Sequence, residues 1–227
     1  MDDRFQRLKL LIGDENFCKL NAATVAVFGV GGVGSFAVEA LARSGVGHLV
    51  LVDKDFIDAT NINRQLHALT STVGRSKVEV MRERIHEINP AAHVDAIQKF
   101  FLPTEPIEDF FVCKFDYVVD AIDNLTAKIF LVEECERRGV KIISSMGAGN
   151  KLDSTRFKVG DIFQTSVDPV AKILRKKLRE RGIKNLRVVW SDEVPRPVKD
   201  FIGSAAFVPS VAGLILASEV VRDLING

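Results

Sequence analysis

The chain has 227 residues, with 31 Lys and Arg against 30 Asp and Glu, 47% hydrophobic residues and three cysteines. That length holds one α/β domain with a substantial core, or two small domains at most, and the balance is that of an ordinary globular protein. The charged N-terminus lacks the apolar centre of a secretory signal, and the apolar run 207–221 is too short and too interrupted to span a bilayer. Cys18, Cys113 and Cys135 form no Cys-x-x-Cys pair, so no zinc ribbon or disulfide framework is expected, but reduced thiols in a cytoplasmic chain.

In chain order, residues 4–20 form a polar-apolar lead-in with Arg4, Phe5, Arg7 and Leu8 ahead of Leu10-Leu-Ile12. The run from Thr24 to Ser35 then reads as an apolar strand, a glycine loop and the first turn of a helix. Gly29, Gly31 and Gly34 make G-x-G-x-x-G, with Gly32 as an extra. Glycines permit a sharp turn and a close approach to phosphate, and the helix N-terminus offers free N–H groups to the anion. The helix is expected over 33–44, where Ala37, Ala40 and Ala42 suit close packing on a sheet. A second buried strand over 48–53 ends in Asp53, completing a βαβ unit.

An amphipathic helix over 76–89 places Val78, Met81, Ile85 and Ile88 on one face, and Pro90 stops it. Strands are expected over 93–97, 116–120 and 140–144, with a helix over 126–138 between the last two. Strands alternating with helices predict an α/β fold, a Rossmann-like and mostly parallel sheet with helices on both faces. Right-handed crossovers bring Gly29, Asp53 and Asp123 to one edge of it. Asp168-Pro169 reads as the cap and first turn of a basic helix spanning about 168–184. A loop with Pro195 and Pro197 follows, then an apolar helix over 211–225 that packs on the sheet or in a subunit interface. The sequence shows no internal repeat or linker, so residues 1–227 are expected to form a single domain.

Asp53 lies nineteen residues after Gly34, where a dinucleotide fold places an acid on the ribose. A dehydrogenase fits to this point. It does not explain the polar set that follows: Asp53-x-Asp55, Asn61-x-Asn63-Arg64-Gln65 and Lys77. Two further cations suit ATP, whose leaving pyrophosphate carries charge to be stabilised in the transition state. Asp123, after a buried strand, suits Mg²⁺ bridging phosphate oxygens. Asp55 also suits a turn cap and Asp123 a helix cap. Ser144, Ser145 and Asn150 suit either a substrate pocket or tight turns, and His67, His86 and His93 are read as structural or exposed.

These motifs, in this order, resemble the ATP-dependent carboxylate adenylators, a family that includes the molybdopterin- and thiamine-biosynthesis adenylyltransferases and the ubiquitin-activating enzymes. The resemblance implies a nucleotide site of Gly29, Gly31, Gly32, Gly34, Asp53, Asp55, Asn61, Arg64, Gln65 and Lys77. Asp53 would bind ribose, and Asn61, Arg64, Gln65 and Lys77 the phosphates. Arg64, Lys77 and Asp123 would be catalytic, with Mg²⁺ on Asp123. Arg7 would be donated from a partner subunit to the γ-phosphate, which implies a homodimer.

Within that family, adenylators of ubiquitin-like proteins usually carry paired zinc cysteines or a crossover-loop cysteine. Here no cysteine follows Cys135. The segment Ile143 to Asp153, Thr165-Ser-Val-Asp-Pro169, the basic helix and Phe207 to Gly213 resemble instead the tRNA threonylcarbamoyladenosine dehydratases, some of which carry a C-terminal anchor that is not expected here. In the implied reaction ATP adenylates the substrate carboxylate, and a nucleophile of the same side chain closes a five-membered hydantoin ring, expelling AMP. No catalytic cysteine is needed, because proximity supplies much of the acceleration. Between Lys151 and Trp190 there are eleven Lys and Arg against four Asp and Glu. This surplus suits a polyanionic partner, and Lys172, Arg175, Lys176, Lys177, Arg179 and Arg181 are the expected tRNA contacts, a solvated face being the alternative. ATP, Mg²⁺ and tRNA are thus the implied ligands. A monovalent cation (Na⁺ or K⁺), a sulfur-pathway protein partner and the adenylation of a sulfur-carrier protein are left open.

Overall fold

The structure, a computed structural model, describes residues 3–197 and 202–227. Two short helices, α1 (Gln6–Ile12) and α2 (Asp14–Ala22), lead into β1 (Thr24–Phe28), α3 (Gly34–Arg43), β2 (His48–Val52), α4 (Lys77–Ile88) and β3 (His93–Ile97). The second half runs β4 (Tyr117–Asp120), α5 (Leu125–Arg138), β5 (Lys141–Ser145), β6 (Phe157–Asp161), α6 (Pro169–Glu180), β7 (Arg187–Ser191) and α7 (Phe207–Asn226). The strands form one sheet in the order β3-β2-β1-β4-β5-β7-β6. Neighbours are parallel except β6 and β7, which pair antiparallel at one edge.

The central strands are buried on both faces, because successive side chains alternate between two helix layers. Val25 and Val27 of β1 and Leu49 and Leu51 of β2 pack with α3, α4 and α7 in one core. Ala26, Phe28, Val50 and Val52 pack on the other face with Phe101, Phe110 and the apolar side of α5. A third core joins α5 and α6 to β7 through Ile129, Leu174, Leu178, Val188 and Trp190. The expected Rossmann-like sheet with helices on both faces is thus present. After β1 the chain winds outward through β2 and β3, then returns to place β4 on the other flank of β1. The C-terminal ends of β1 and β4 therefore frame a topological switch point, where such sheets bind ligands.

The segments 157–161 and 187–191 were not expected as strands. Lys158 and Val159 of β6 face solvent at the sheet edge, so the strand lacks a clean alternation, and β7 is a short run that follows directly on the basic block. The final helix begins at Phe207, earlier than expected, because Pro209 falls in its first turn, where a missing N–H costs nothing. It packs against α3 and the sheet through Ala212, Leu216, Ala217 and Val220. Of the connection expected around Pro195 and Pro197, residues 198–201 lie outside the described residues. None of the described helices is long and apolar enough to cross a membrane.

Candidate active site

The glycine loop is fixed by contacts that leave no room for a side chain at two points. Gly29 adopts φ +86°, and a Cβ there would lie 2.6 Å from the Ala121 carbonyl oxygen just after β4. A Cβ on Gly34 would lie 1.8 Å from the Gly29 carbonyl oxygen, so this glycine permits helix and strand to meet. Two side chains brace the loop. Asp53 accepts the Val30 N–H at 2.7 Å through Oδ2 and the Asp55 N–H at 2.9 Å through Oδ1. His67, 2% exposed, makes a 2.7 Å bond from Nε2 to the Val30 carbonyl. With Nε2 donating, Nδ1 is the unprotonated nitrogen, and it is buried without a partner among the described residues. Burial pushes the His67 pKa below its ordinary value, against the pull of the Val30 carbonyl, so the ring is neutral at pH 7.

Above this edge of the sheet lies a cavity of about 500 Å³. It is lined by Gly29, Gly31, Gly32, Asp53, Asp55, Asn61, Arg64, Gln65, Lys77 and Asp123, which the sequence had singled out, and by Lys54, Lys99, Phe100, Lys128, Ser145 and Met146. Lys77 opens α4 with its side chain 6% exposed and its ammonium 2.9 Å from Asp55 Oδ2. Lys54 holds the other oxygen of Asp55 at 2.9 Å. Burial raises the Asp55 pKa, but these two lysines outweigh it and hold the carboxyl below its ordinary range. Asp55 therefore anchors two cations and is no simple turn cap. Arg64 bonds the Thr60 carbonyl and Asn63 Oδ1, both at 2.9 Å, and Asn61 caps its own turn by accepting the Asp58 N–H.

Helix α5 is capped by Asn124, whose Oδ1 accepts the Ala127 N–H at 3.0 Å. Asp123 is therefore not spent as the cap and stands exposed at the cavity. Below it, Lys128 makes a fully buried ion pair with Asp120 at 2.7 Å and donates to the Ser145 carbonyl at 3.0 Å. A second buried pair, Lys151 with Asp168 at 2.9 Å, joins the Gly147 turn to the cap of α6. The donor set fits a nucleoside triphosphate with its metal. Cations and carboxylates face one another across an open glycine loop, and buried Gln65 Oε1 has no partner among the described residues.

Gly34 and Arg7 do not line the cavity. Gly34 sits beneath the loop, and Arg7 is exposed on α1. Of the pocket candidates after β5, Ser145 lines the cavity, whereas Ser144 and Asn150 do not. Asn150 instead ties two loops together, accepting the Gly203 N–H through Oδ1 at 2.6 Å and donating its own N–H to the Gly203 carbonyl. The basic residues of α6 divide. Arg175 bonds the carbonyl and hydroxyl of Thr165, Arg181 pairs with Glu133, Lys177 pairs with Glu180 and Arg179 lies over the Phe163 ring. Lys172 and Lys176 face solvent. Val170, in the first turn of α6, lines the cavity, so the basic helix starts at the site and leads away from it.

Lys54, Lys99 and Lys128 were missed from sequence. Lys54, between two flagged acids, was legible in principle. Lys128 carried a weaker signal, a lysine among the apolar residues of α5, and Lys99 reaches the cavity only because β3 ends at the same sheet edge. No cysteine lines the cavity: Cys18 and Cys113 are exposed, and Cys135 lies on the buried face of α5.

A glycine loop at the switch point of a Rossmann-like sheet, faced by this many cations, defines an ATP-binding protein of the adenylating type. The chain belongs to the ThiF family, whose pattern it matches over residues 5–226. It is 51% identical to the tRNA threonylcarbamoyladenosine dehydratase of Bacillus subtilis, an alignment covering 98% of this chain and 95% of that one. Its structure is similar to that of the Escherichia coli tRNA N6-threonylcarbamoyladenosine dehydratase TcdA in complex with ATP, with a TM-score of 0.93 and 35% identity over 99% of this chain and 94% of that one. The adenylyltransferase and sulfurtransferase MOCS3 of Culex quinquefasciatus is a more distant relative, 34% identical over 58% of this chain and 30% of its own.

Proposed function

We infer that this chain is an ATP-dependent tRNA threonylcarbamoyladenosine dehydratase that adenylates the substrate carboxylate and so drives its cyclisation to the hydantoin form. The observation that carries this reading is the cavity itself, in which Arg64, Lys77 and Lys54 gather around a glycine loop and no cysteine is present to take an acyl group. Asp53 holds the loop and meets the ribose. Arg64 and Lys77 stabilise the charge of the departing pyrophosphate, as fixed donors in a partly dry site do. Asp123 would hold Mg²⁺, which neutralises phosphate charge when bound. The substrate's own nitrogen then attacks the activated carbonyl, and the pocket need only hold the side chain folded.

The nucleoside enters the cavity while the tRNA backbone follows α6, where Lys172 and Lys176 face outward from a helix that begins at the pocket. Such contacts are electrostatic and indifferent to sequence. Arg7 completes the site of a second subunit. Its helix α1 buries no residue of its own, and Leu10 and Leu11 are each 81% exposed, as suits a homodimer. The work is done in the cytoplasm, with tRNA. Incubation with ATP, Mg²⁺ and tRNA bearing threonylcarbamoyladenosine should yield AMP and a nucleoside lighter by one water. An unchanged nucleoside mass, or an acyl-adenylate on a Gly-Gly-ending protein, would rule the reading out.

A further inference from the structure

At the opposite end of the sheet from the cavity, three metal-binding side chains converge. His48 opens β2, and its Cα is in register with that of His93, which opens the edge strand β3. Asp95 follows His93 by two residues, so the pleat turns it to the same face. His48 Nε2 lies 2.9 Å from Asp95 Oδ2, and His93 Nε2 lies 3.4 Å from Asp95 Oδ1. The two imidazoles pack edge to face with centroids 4.4 Å apart. One donor atom from each of the three residues fits within a span of 4.8 Å.

We propose that His48, His93 and Asp95 form a binding site for a divalent transition metal, of which Zn²⁺ is the natural probe. Tetrahedral Zn²⁺ with bonds of about 2.0–2.1 Å to nitrogen and oxygen has donor-to-donor edges of roughly 3.3 Å. The separations of 2.9 and 3.4 Å lie near that value, each measured to a different oxygen of Asp95. Two imidazoles and a carboxylate form a donor set suited to Zn²⁺ and less so to Mg²⁺ or Ca²⁺, which take oxygen. The orientation of His48 is already set, because its Nδ1 lies 3.3 Å from the Thr24 hydroxyl at the start of β1. A hydroxyl both donates and accepts, so Thr24 can take the Nδ1 proton's hydrogen bond when Nε2 turns to metal. With side chains 21%, 68% and 34% exposed for His48, His93 and Asp95, an ion can enter without local unfolding. A bound ion would clip the N-terminal ends of β2 and the edge strand β3 together.

The test is Zn²⁺ titration of the metal-stripped full chain in excess Mg²⁺, added to compete for the carboxylates of the ATP cavity. One Zn²⁺ per chain should bind, with a rise in thermal midpoint. Binding should weaken at least tenfold in His93→Ala and in Asp95→Asn, while ATP binding by both variants stays unchanged and reports that they fold. Both variants keep the exposed Cys18 and Cys113. If no stoichiometric Zn²⁺ binds, or if both variants bind it as tightly as the parent, the three residues are a hydrogen-bonded cluster only and the site does not exist.

Discussion

Single residues set the electrostatics of the cavity. Lys77 is held by Asp55 at the start of α4 with its side chain almost fully buried, so it is a fixed cation that needs no reorganisation when charge develops. Lys77→Ala should lower the rate of AMP formation by roughly 10²–10³-fold, the usual loss for one preorganised donor, with ATP affinity changed far less. Steady-state kinetics with modified tRNA check this. His67 links the loop to the pH dependence of stability. Its folded-state pKa is depressed below 6.5 by burial, so below that pH the unfolded chain binds the proton more readily than the native one. Stability present above pH 6.5 is therefore lost as the pH falls toward the folded-state value. Urea midpoints should drop between pH 7.5 and 5.5, and His67→Gln, which keeps a donor for the Val30 carbonyl, should flatten that slope.

Among the elements, α6 joins fold and function. Its N-cap Asp168 bonds the Ala171 N–H at 3.0 Å and pairs with Lys151 in a site where both side chains are essentially unexposed. Asp168→Ala should destabilise the protein by about 3–5 kcal/mol, because it leaves the Lys151 charge buried and alone. The double variant Lys151→Met with Asp168→Leu, which buries no charge, should recover part of that loss, as chemical denaturation will report. The outer face of the same helix gives a separate outcome. Lys172→Glu with Lys176→Glu should weaken tRNA binding at low salt, reduce its salt dependence and leave ATP binding intact. Equal tRNA affinity in parent and variant would return this face to simple solvation. Arg175 is a poorer probe than sequence suggests, since its guanidinium holds the Thr165 loop.

At the scale of the whole molecule, the sheet order decides what meets what. Winding out through β3 and back to β4 puts Gly29 against Ala121 and lets Lys99, Asp123 and Ser145 share one cavity. The exposed Arg7 lies apart from that cavity, so a dimer that exchanges α1 would complete each site. Mixing Arg7→Ala with Lys77→Ala subunits should restore up to about a quarter of the activity, one intact site in a mixed population, if mixing is random. Mixed dimers that form without regaining activity would place Arg7 outside the chemistry.

That Gly29, Gly31, Gly32, Asp53, Arg64, Gln65, Lys77 and Asp123 share one cavity was legible in sequence, because their spacing along the chain places them at the same edge of the sheet. The central strands were legible too, since burial on both faces leaves continuous apolar runs. Two things were settled only in three dimensions. The edge strand β6 carries little pattern of its own, and β7 is recognisable only by its pairing between β5 and β6. The partners of charged groups depend on which helix faces which strand: Lys128 with Asp120, Lys151 with Asp168, and His48 with Asp95 across the β2–β3 pair. Local spacing fixes what a residue can do, but only packing brings distant charges within the few ångströms at which they act.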